Sequence, residues 1–383
     1  MVKKTTKKII PYGRQSINKA DIAAVVQILK SDWLTQGPTV KRFEHALCKK
    51  TGARYAVAVA NGTAALHLAA LAAGIVKGDE VITSPLTFLA SANAVLYCGA
   101  QPIFADIQMA TGCIDPREIE KKITKKTKAI IPVHFAGHPC ELKVIKTLAK
   151  KHNLIIIEDA AHALGAEYRG TKVGSCVYSD MAIFSFHPVK TITTGEGGAV
   201  LTNNKRLYQR LLLLRNHGIT KDADIMKNYD GPWYYEMHTL GFNYRITDMQ
   251  CALGVNQLKK LNMFIRRRRI IASMYTKALR KIPGISMLRE MQNSRSAWHL
   301  YVIHVPENRR EDIFCKLHKR GVAVQVHYIP VYKQPYYRKR MNVRSNFPES
   351  ERFYASAISL PIYPSLTNQE VRQIIVFLKE ALL

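Results

Sequence analysis

The chain lacks the features that mark disulfide-bonded, zinc-binding or membrane proteins. Its 383 residues include only seven cysteines, an odd number with no CxxC pair. That usage argues against a disulfide framework or a metal site and predicts a reducing, cytoplasmic compartment. No apolar run is long enough to cross a membrane, and the basic start MVKKTTKKII is not followed by the apolar stretch of a secretory signal. We therefore expect a soluble protein with a solvated N-terminal tail.

Acidic residues are also scarce. The chain has 28 Asp and Glu against 57 Lys and Arg, a formal charge of +29. Such an excess affects solubility and association, not fold, and its partner could be a nucleic acid or an anionic substrate such as a nucleotide diphosphate. The densest run, Arg266–Arg269, lies in an apparent helix, where four consecutive residues point all around the axis. That geometry favours solvated side chains and no nucleic acid, although one of these arginines could reach an anionic ligand.

Short apolar runs that alternate with helical stretches predict an α/β fold with a mostly parallel sheet. We predict seven strands: YAVAVA (55–60), EVITS (80–84), PIFADI (102–107), KAIIPVHF (128–135), LIIIED (154–159), MAIFSF (181–186) and GAVLTN (198–203). The runs from 181 onward are joined by short glycine-containing turns, so at least one of these strands should be antiparallel.

The length of the chain predicts two domains. A long helical segment covers about 246–280, and after Pro283 the pattern changes to strand pairs and helices (HLYVIHVP, EDIFCKLHKRG, VAVQVHYIP). We place a large domain with an N-terminal arm at 1–255. A smaller α+β domain follows at 256–383 and begins with the long bridging helix.

Two residues near predicted strand ends indicate a chemistry. Ligands of open α/β sheets bind beyond the carboxyl ends of the strands. Lys190 follows one strand in FSFHPVKTITTGEGG, and Asp159 ends another in LIIIEDAAHALG. A lysine amine forms a Schiff base with an aldehyde cofactor, and a buried aspartate keeps a pyridine nitrogen protonated. The alternatives are a surface lysine and an aspartate that caps a helix over AAHALG.

Other residues are placed to complete such a site. Asn61, Gly62 and Thr63 open a helix after a strand, which favours an anion, although NGT is also a common turn. Phe88 could stack on a flat ring or belong to the core. His162 would face the site of Asp159 across one helical turn.

Several motifs together resemble those of the DegT/DnrJ/EryC1/StrS family of sugar aminotransferases, nearly from end to end. They are NGTAAL, EDAAHALGA, SFHPVKTITTGEGG, RNHGI and FNYRITDMQCALG. The resemblance implies the aspartate-aminotransferase (type I) fold and a pyridoxal 5'-phosphate cofactor. Within the family, LHKRGVAVQVHYIPVY and the SFHPVK loop are most similar to enzymes that aminate C4 of UDP-linked sugars for pseudaminic acid. Some members replace the lysine with histidine and dehydrate their substrates; the lysine here implies amino transfer.

The resemblance also implies a role for individual residues. Lys190 would form the Schiff base, Asp159 would pair with the pyridine nitrogen, His162 would lie near the phenolic oxygen and Phe88 would stack on the ring. The phosphate would be held by Thr63, the Ala64 backbone and Ser185. Asn243 would reach the cofactor phosphate of the neighbouring subunit, which implies a homodimer with shared sites, and Glu196 would brace the lysine loop.

The implied reaction moves an amino group from L-glutamate to C4 of a UDP-linked 4-keto-6-deoxy-N-acetylhexosamine. Amination at C3, or of a dTDP- or GDP-linked ketosugar, remains open. A basic nucleic-acid-binding protein on the same fold is the alternative from another class, although no reading element accompanies the basic residues. Candidates for the sugar pocket are His134, His138, His327 and Tyr328, each of which could instead be a packed polar residue.

Overall fold

The computed structural model describes residues 9–340 and 346–383, so most of the predicted N-terminal tail lies outside the described residues. The α-helices of this part are α1 (Lys19–Leu29), α2 (Pro38–Thr51), α3 (Gly62–Ala72), α4 (Ala90–Tyr97), α5 (Pro116–Lys122), α6 (Leu142–His152), α7 (Lys205–Arg215), α8 (Asp248–Leu279), α9 (Arg310–Lys319), α10 (Pro335–Arg340), α11 (Pro348–Ser356) and α12 (Asn368–Leu382). None of these described helices is long and apolar enough to cross a membrane.

Fifteen strands are present in the described part of the chain, and several of them have only two residues. They are β1 (Tyr55–Val59), β2 (Glu80–Thr83), β3 (Gln101–Phe104), β4 (Thr127–Ile131), β5 (Ile155–Asp159), β6 (Glu167–Tyr168), β7 (Thr171–Lys172), β8 (Met181–Ser185), β9 (Gly198–Thr202), β10 (Ile219–Thr220), β11 (Glu236–Met237), β12 (Ser286–Met287), β13 (Ser294–Arg295), β14 (Tyr301–His304) and β15 (Ala357–Leu360).

A seven-stranded sheet in the order β1-β9-β8-β5-β4-β2-β3 forms the centre of the molecule. β9 is antiparallel to both of its neighbours. The other neighbouring strands pair in parallel. The predicted α/β class, the seven strands and the antiparallel strand after 181 are therefore confirmed.

The apolar run of β5 explains why this strand is central. Ile156 packs in a hydrophobic cluster with Leu142 and Ile145 of α6. Its neighbour Ile157 packs in a different cluster with Leu68 of α3. Because successive side chains of a strand point to opposite faces, a continuous run of isoleucines buries both faces of the sheet. The strand then delivers its last residue, Asp159, to the carboxyl edge.

Helix α8 joins two cores. Thr247 caps it in a capping box with Gln250, which satisfies N–H groups at its start. Near its middle it buries Phe264 against a cluster that includes Phe43 of α2. Its second half buries Tyr275 in the cluster of the C-terminal module. The boundary that we place at 255/256 falls inside this helix and stays a prediction.

The C-terminal module is α+β, as expected. Strands β12, β14 and β15 form an antiparallel sheet, and α9 and α12 contribute to the same core. The prediction for VAVQVHYIP needs correction, because this run forms only isolated bridges, Ile10–Val322 and Gln325–Ser359. The chain leaves the sheet there and carries its next residues into a cleft at the edge of the large sheet.

Candidate active site

A cleft of about 690 Å³ lies where β5 and β8 end. It brings together most of the residues that the sequence singled out. They are Thr63, Ala64, Phe88, Asp159, His162, Ser185, Lys190, Glu196, His327 and Tyr328. Tyr12, Ser91 and Tyr244, which the sequence did not single out, also line it.

Glycines hold the lysine loop close to the start of α3. A Cβ on Gly198 would lie 2.4 Å from the carbonyl oxygen of Asn61, and one on Gly62 would lie 2.8 Å from Cβ of Ser185. Neither position has room for a larger residue. The carbonyl of Glu196 accepts hydrogen bonds from Thr194 Oγ1 at 2.6 Å and from Gln250 Nε2 at 2.8 Å. Glu196 thus connects the loop to α8 through its main chain.

The Lys190 amine has an altered acidity. Burial lowers its pKa from 10.5 to about 8, and the nearby charge of Asp159 acts in the opposite direction. A substantial fraction of the amine is therefore neutral near pH 8. Only the neutral amine is a nucleophile or a base, so this environment suits a reactive lysine and not a merely solvated one.

Asp159 is 6% exposed. Its Oδ2 accepts a hydrogen bond of 2.6 Å from Ser91 Oγ, and its Oδ1 accepts one of 3.2 Å from the Ala161 N–H. The ion pairs of the described residues include none to this carboxylate. A buried carboxylate without a cation is costly, so Asp159 is available to a positively charged or N–H-bearing ligand.

Two expectations about the segment after Asp159 are wrong. Residues 160–166 form successive turns and not a helix, with Ala163 N–H donating to the Ala160 carbonyl at 2.8 Å. Asp159 therefore caps no helix, and His162 does not face it across a helical turn. His162 reaches the cleft because the turn folds back over the strand end.

His162 is held as a neutral imidazole. Burial lowers its pKa well below 6.5, and the charge of Lys190 adds to this effect. Its Nε2 lies 3.3 Å from the Tyr328 hydroxyl, and its ring centroid lies 4.3 Å from that of His299. Its Nδ1 is buried without a partner among the described residues. The contact with His299 was not foreseen, and no local pattern in the sequence signals it.

At the start of α3, the structure does not leave the Ala64 N–H free for the phosphate, as the resemblance implies. The Asn61 side chain caps the helix by accepting the Ala64 N–H at 2.8 Å, so this N–H is already bonded. The N–H groups of Gly62 and Thr63 also belong to the first turn, where helices leave donors without helical acceptors. The helix start can therefore hold an anion, with Ala64 taking part only if Asn61 moves.

The other cleft residues fit a ligand pocket more than a core. Phe88 is 58% exposed, which excludes the core alternative. His327 bonds Ser359 Oγ through Nδ1 at 2.8 Å, and burial lowers its pKa to about 4. Burial also raises the pKa of Tyr328 above its usual range, so both residues are neutral near pH 7.

His134 and His138 are packed polar residues, and the prediction that they line a sugar pocket is wrong. His134 is fully buried, with Nε2 2.8 Å from Glu158 Oε2 and Nδ1 accepting the Cys140 N–H at 3.0 Å. His138 packs its buried ring against Trp298, with centroids 4.8 Å apart. Both lie outside the set of described residues that lines the cleft. The buried carboxylate of Glu158 needs a partner, and His134 supplies it.

Asn243 is exposed and lies outside this cleft, opposite Asn216 in an isolated bridge. Its implied contact with a neighbouring subunit stays a prediction. Within the described ranges, no group of three or more His, Cys, Asp or Glu side chains is placed to hold a metal ion.

The mostly parallel seven-stranded sheet, with a smaller α+β module beside the cleft, is the aspartate-aminotransferase (type I) fold. The chain belongs to the DegT/DnrJ/EryC1/StrS aminotransferase family, which residues 15–379 match. The resemblance that the motifs indicated is therefore confirmed.

Individual relatives match over nearly the whole chain. A UDP-4-amino-4,6-dideoxy-N-acetyl-beta-L-altrosamine transaminase of Campylobacter jejuni is 41% identical over 380 residues, 98% of this chain and 96% of that protein. The structure of Helicobacter pylori PseC, an aminotransferase of pseudoaminic acid biosynthesis, covers 98% of this chain and 99% of its own at 35% identity and a TM-score of 0.92. The PLP form of the sugar aminotransferase Spr1654 of Streptococcus pneumoniae covers 97% and 98% at 31% identity and a TM-score of 0.90.

Proposed function

We propose that this chain is a pyridoxal-phosphate-dependent aminotransferase that moves the amino group of L-glutamate to C4 of a UDP-linked 4-keto-6-deoxy-N-acetylhexosamine, a precursor of pseudaminic acid. The observation that carries the proposal is the meeting in one cleft of Lys190, with its lowered pKa, and the carboxylate of Asp159, which has no ion pair among the described residues. The identity of the sugar rests on the Campylobacter and Helicobacter relatives.

The cleft fits the cofactor. Asp159 offers a buried acceptor to a protonated ring nitrogen, and the unpartnered Nδ1 of His162 lies in the same wall. Phe88 presents an exposed ring for stacking. Thr63, Ser185 and the start of α3 form an anion site of the kind that holds a phosphate, and Ala64 joins them in our proposal.

The protein's own groups can move the protons. Bound pyridoxal phosphate supplies an aldehyde that accepts an amino group and a ring that takes up electrons. Lys190 Nζ removes a proton from the α-carbon of glutamate and later delivers one at C4 of the sugar. A pKa of about 8 makes both transfers feasible near neutral pH. Asp159 would hold the ring nitrogen, and the Ser91 hydroxyl donates a hydrogen bond to its Oδ2.

The sugar enters from the side of the C-terminal module. His327 and Tyr328 lie on this side, and Tyr12 packs on His327 with ring centroids 5.5 Å apart. In our proposal these neutral polar groups bind the hexosamine. The seven cysteines are free thiols, which fits a reaction in the reducing cytoplasm.

The catalytic unit in this proposal is a homodimer in which the exposed Asn243 of one subunit reaches the cofactor phosphate of the other. Mixing two inactive variants tests the sharing. A Lys190→Ala subunit paired with an Asn243→Ala subunit forms one site that has both residues. We expect activity to return on mixing and subunit exchange. If the mixture stays as inactive as its parents while exchange is demonstrated, Asn243 acts within its own subunit. An Asn243→Ala protein that is fully active by itself would show that Asn243 has no role.

A two-stage experiment tests the activity. The protein loaded with pyridoxal phosphate is first reduced with borohydride and digested, and we expect the cofactor on the Lys190 peptide. An unlabelled Lys190 refutes the chemistry. The holoenzyme is then given L-glutamate with UDP-, dTDP- and GDP-linked 4-ketosugars and a 3-ketosugar, and products are identified by NMR. We expect turnover to be highest with the UDP-linked 4-keto-6-deoxy-N-acetylhexosamine; preference for another sugar would keep the chemistry and replace the substrate.

A further inference from the structure

A second cavity, which we call the basic groove, lies along α8 and shares none of its lining residues with the cleft of Lys190. Its volume is about 840 Å³, within the usual range of small-molecule sites. Helix α8 forms one wall, and the ribbon of β6, β7 and β13 forms the other. The lining residues are Gly165, Glu167, Lys172, Asn262, Ile265, Arg266, Arg269, Ile270, Ser273, Met274, Lys277 and Arg295.

The arginine run of α8 contributes two of its four members to this groove. Arg266 and Arg269 are three positions apart, so they lie on one face of the helix, and Lys277 extends that face. Arg267 instead bonds Asn368 Oδ1 at 2.7 Å. Arg268 is buried and donates to three carbonyls. The four arginines do point around the helix axis, as predicted, but two of them, Arg266 and Arg269, lie opposite further cations across the groove.

The groove is left with excess positive charge. Arg266, Arg269 and Lys277 on the helix face Lys172 and Arg295 on the ribbon, and Glu167 supplies the one acidic side chain of the described lining. Glu167 Oε2 lies 3.6 Å from Arg295 Nη1. An ion pair of this length at an exposed position contributes little, so it does not neutralise the site. Five cations around one anion attract a ligand with several negative charges.

Arg269 carries a buried donor that the described residues leave without an acceptor. Its Nε donates to the Ser296 carbonyl at 3.2 Å, while its Nη2 is buried with no acceptor among the described residues. Burial and the charge of Arg295 lower the pKa of this guanidinium, and the charges of Glu290 and Glu167 act in the opposite direction. A buried N–H without an acceptor is unusual in proteins, and an anionic oxygen would satisfy it.

The floor of the groove is apolar. Ile265, Ile270 and Met274 line it between the charged residues. Gly165, with φ +90°, approaches so closely that a Cβ would lie 2.8 Å from Ile265 Cγ1. The backbone of the ribbon side thus packs directly on α8, and the ligand that fits has an apolar part as well as negative charge.

We propose that the basic groove binds a small molecule with two or more phosphate groups and an apolar body, such as a nucleoside polyphosphate. The phosphates contact Arg266, Arg269 and Arg295, and the body lies on Ile270 and Met274. The volume of about 840 Å³ matches a single small molecule, so binding of a single-stranded nucleic acid is kept as an outcome of the test. This site is independent of the reaction assigned to Lys190.

Titration calorimetry with ATP on the full-length holoenzyme, in a buffer without phosphate, tests the proposal. We expect the double variant Arg266→Gln/Arg269→Gln to bind ATP at least tenfold more weakly than the unaltered protein. The control Arg372→Gln/Lys379→Gln also removes two positive charges, but from exposed positions of α12, and should bind ATP as the unaltered protein does. Equal weakening of both variants, or of neither, overturns the proposal.

Further arms separate the parts of the ligand. Arg266→Gln/Lys277→Gln changes only exposed side chains, so its weakened binding supports the groove even if the Arg269 variant folds poorly. Inorganic pyrophosphate should bind more weakly than ATP, and adenosine should not bind measurably. Equal affinity for pyrophosphate and ATP would overturn the role of the apolar floor. A short single-stranded DNA that displaces ATP and binds more tightly would make the groove a nucleic-acid site and overturn the assignment.

Discussion

The cleft of Lys190 and the basic groove use charge in opposite ways. In the cleft one cation and one buried carboxylate influence each other, and burial brings the pKa of the lysine to about 8. In the groove five cations stand around the one acid of the described lining, and four of these cations are exposed residues. Reactivity in this protein therefore comes from a few desolvated groups and not from the number of charges. The net charge of +29 by itself indicates an anionic binding partner, but it indicates no reaction.

The largest expected effect comes from Lys190→Ala. Because it removes the group that attacks the cofactor and moves the protons, we expect turnover to fall by roughly 10²–10⁴-fold or more. The 420 nm band typical of a lysine Schiff base should also disappear from protein loaded with pyridoxal phosphate. Lys379→Ala, at an exposed lysine of α12, is the matched control and should keep both properties. Normal turnover of the Lys190 variant would show that the buried lysine of the cleft is no more reactive than the solvated cations of the groove.

Asp159→Asn should have the next largest effect. It keeps the size of the side chain but loses the charge, and a hydrogen bond to a charged group contributes about 1.5–3 kcal/mol. That loss corresponds to roughly 10- to 150-fold in turnover, measured with saturating cofactor. Ser91→Ala removes one hydrogen bond to the same carboxylate, 2.6 Å long, and should lower turnover less. The reverse order would mean that Ser91, and not the charge, is what the site needs.

The pH dependence of cofactor capture sharpens the same comparison. The pKa of Lys190 is lowered, so its reactive neutral form increases as pH rises through about 8. The rate at which apo-protein binds pyridoxal phosphate covalently should therefore rise over that range. Because Asp159 raises the pKa of the lysine, Asp159→Asn should move the midpoint to lower pH. Stopped-flow absorbance measures both, and a midpoint near 10.4, the value of a free lysine, would contradict the effect of burial.

The smallest effects concern stability along the arginine run. Arg268 is 1% exposed and its Nη1 donates to the carbonyls of Trp298, His299 and Ile362. Arg268→Met leaves these acceptors without a charged donor and should lower the free energy of unfolding by about 2 kcal/mol. Arg266→Gln changes an exposed side chain and should stay within about 0.5 kcal/mol. Urea denaturation at one protein concentration distinguishes them; equal losses would show that the two arginines are equivalent.

Much of the candidate site could be predicted because it follows strand ends. The strands of the large sheet are buried and continuous in apolar residues, so their carboxyl ends can be read from the chain, and Lys190 and Asp159 follow from them. Ser91 and His299 were missed because their contacts join distant positions, 68 residues apart for Ser91 and Asp159. His134 was misassigned because its place after a strand resembles that of a ligand residue, whereas its partner Glu158 is inside the protein.

The sequence by itself determined the seven strands, the long helix α8 and the lysine–aspartate pair, since burial imposes an apolar pattern that is local in the chain. Tertiary structure alone decided which polar residues meet. It turned His162 into the cleft, gave His134 to Glu158, and divided four consecutive arginines among a buried site, a surface contact and the basic groove. Polar side chains carry no periodic signal for their partners, because hydrogen bonds and ion pairs depend on distances that exist only after the elements have packed.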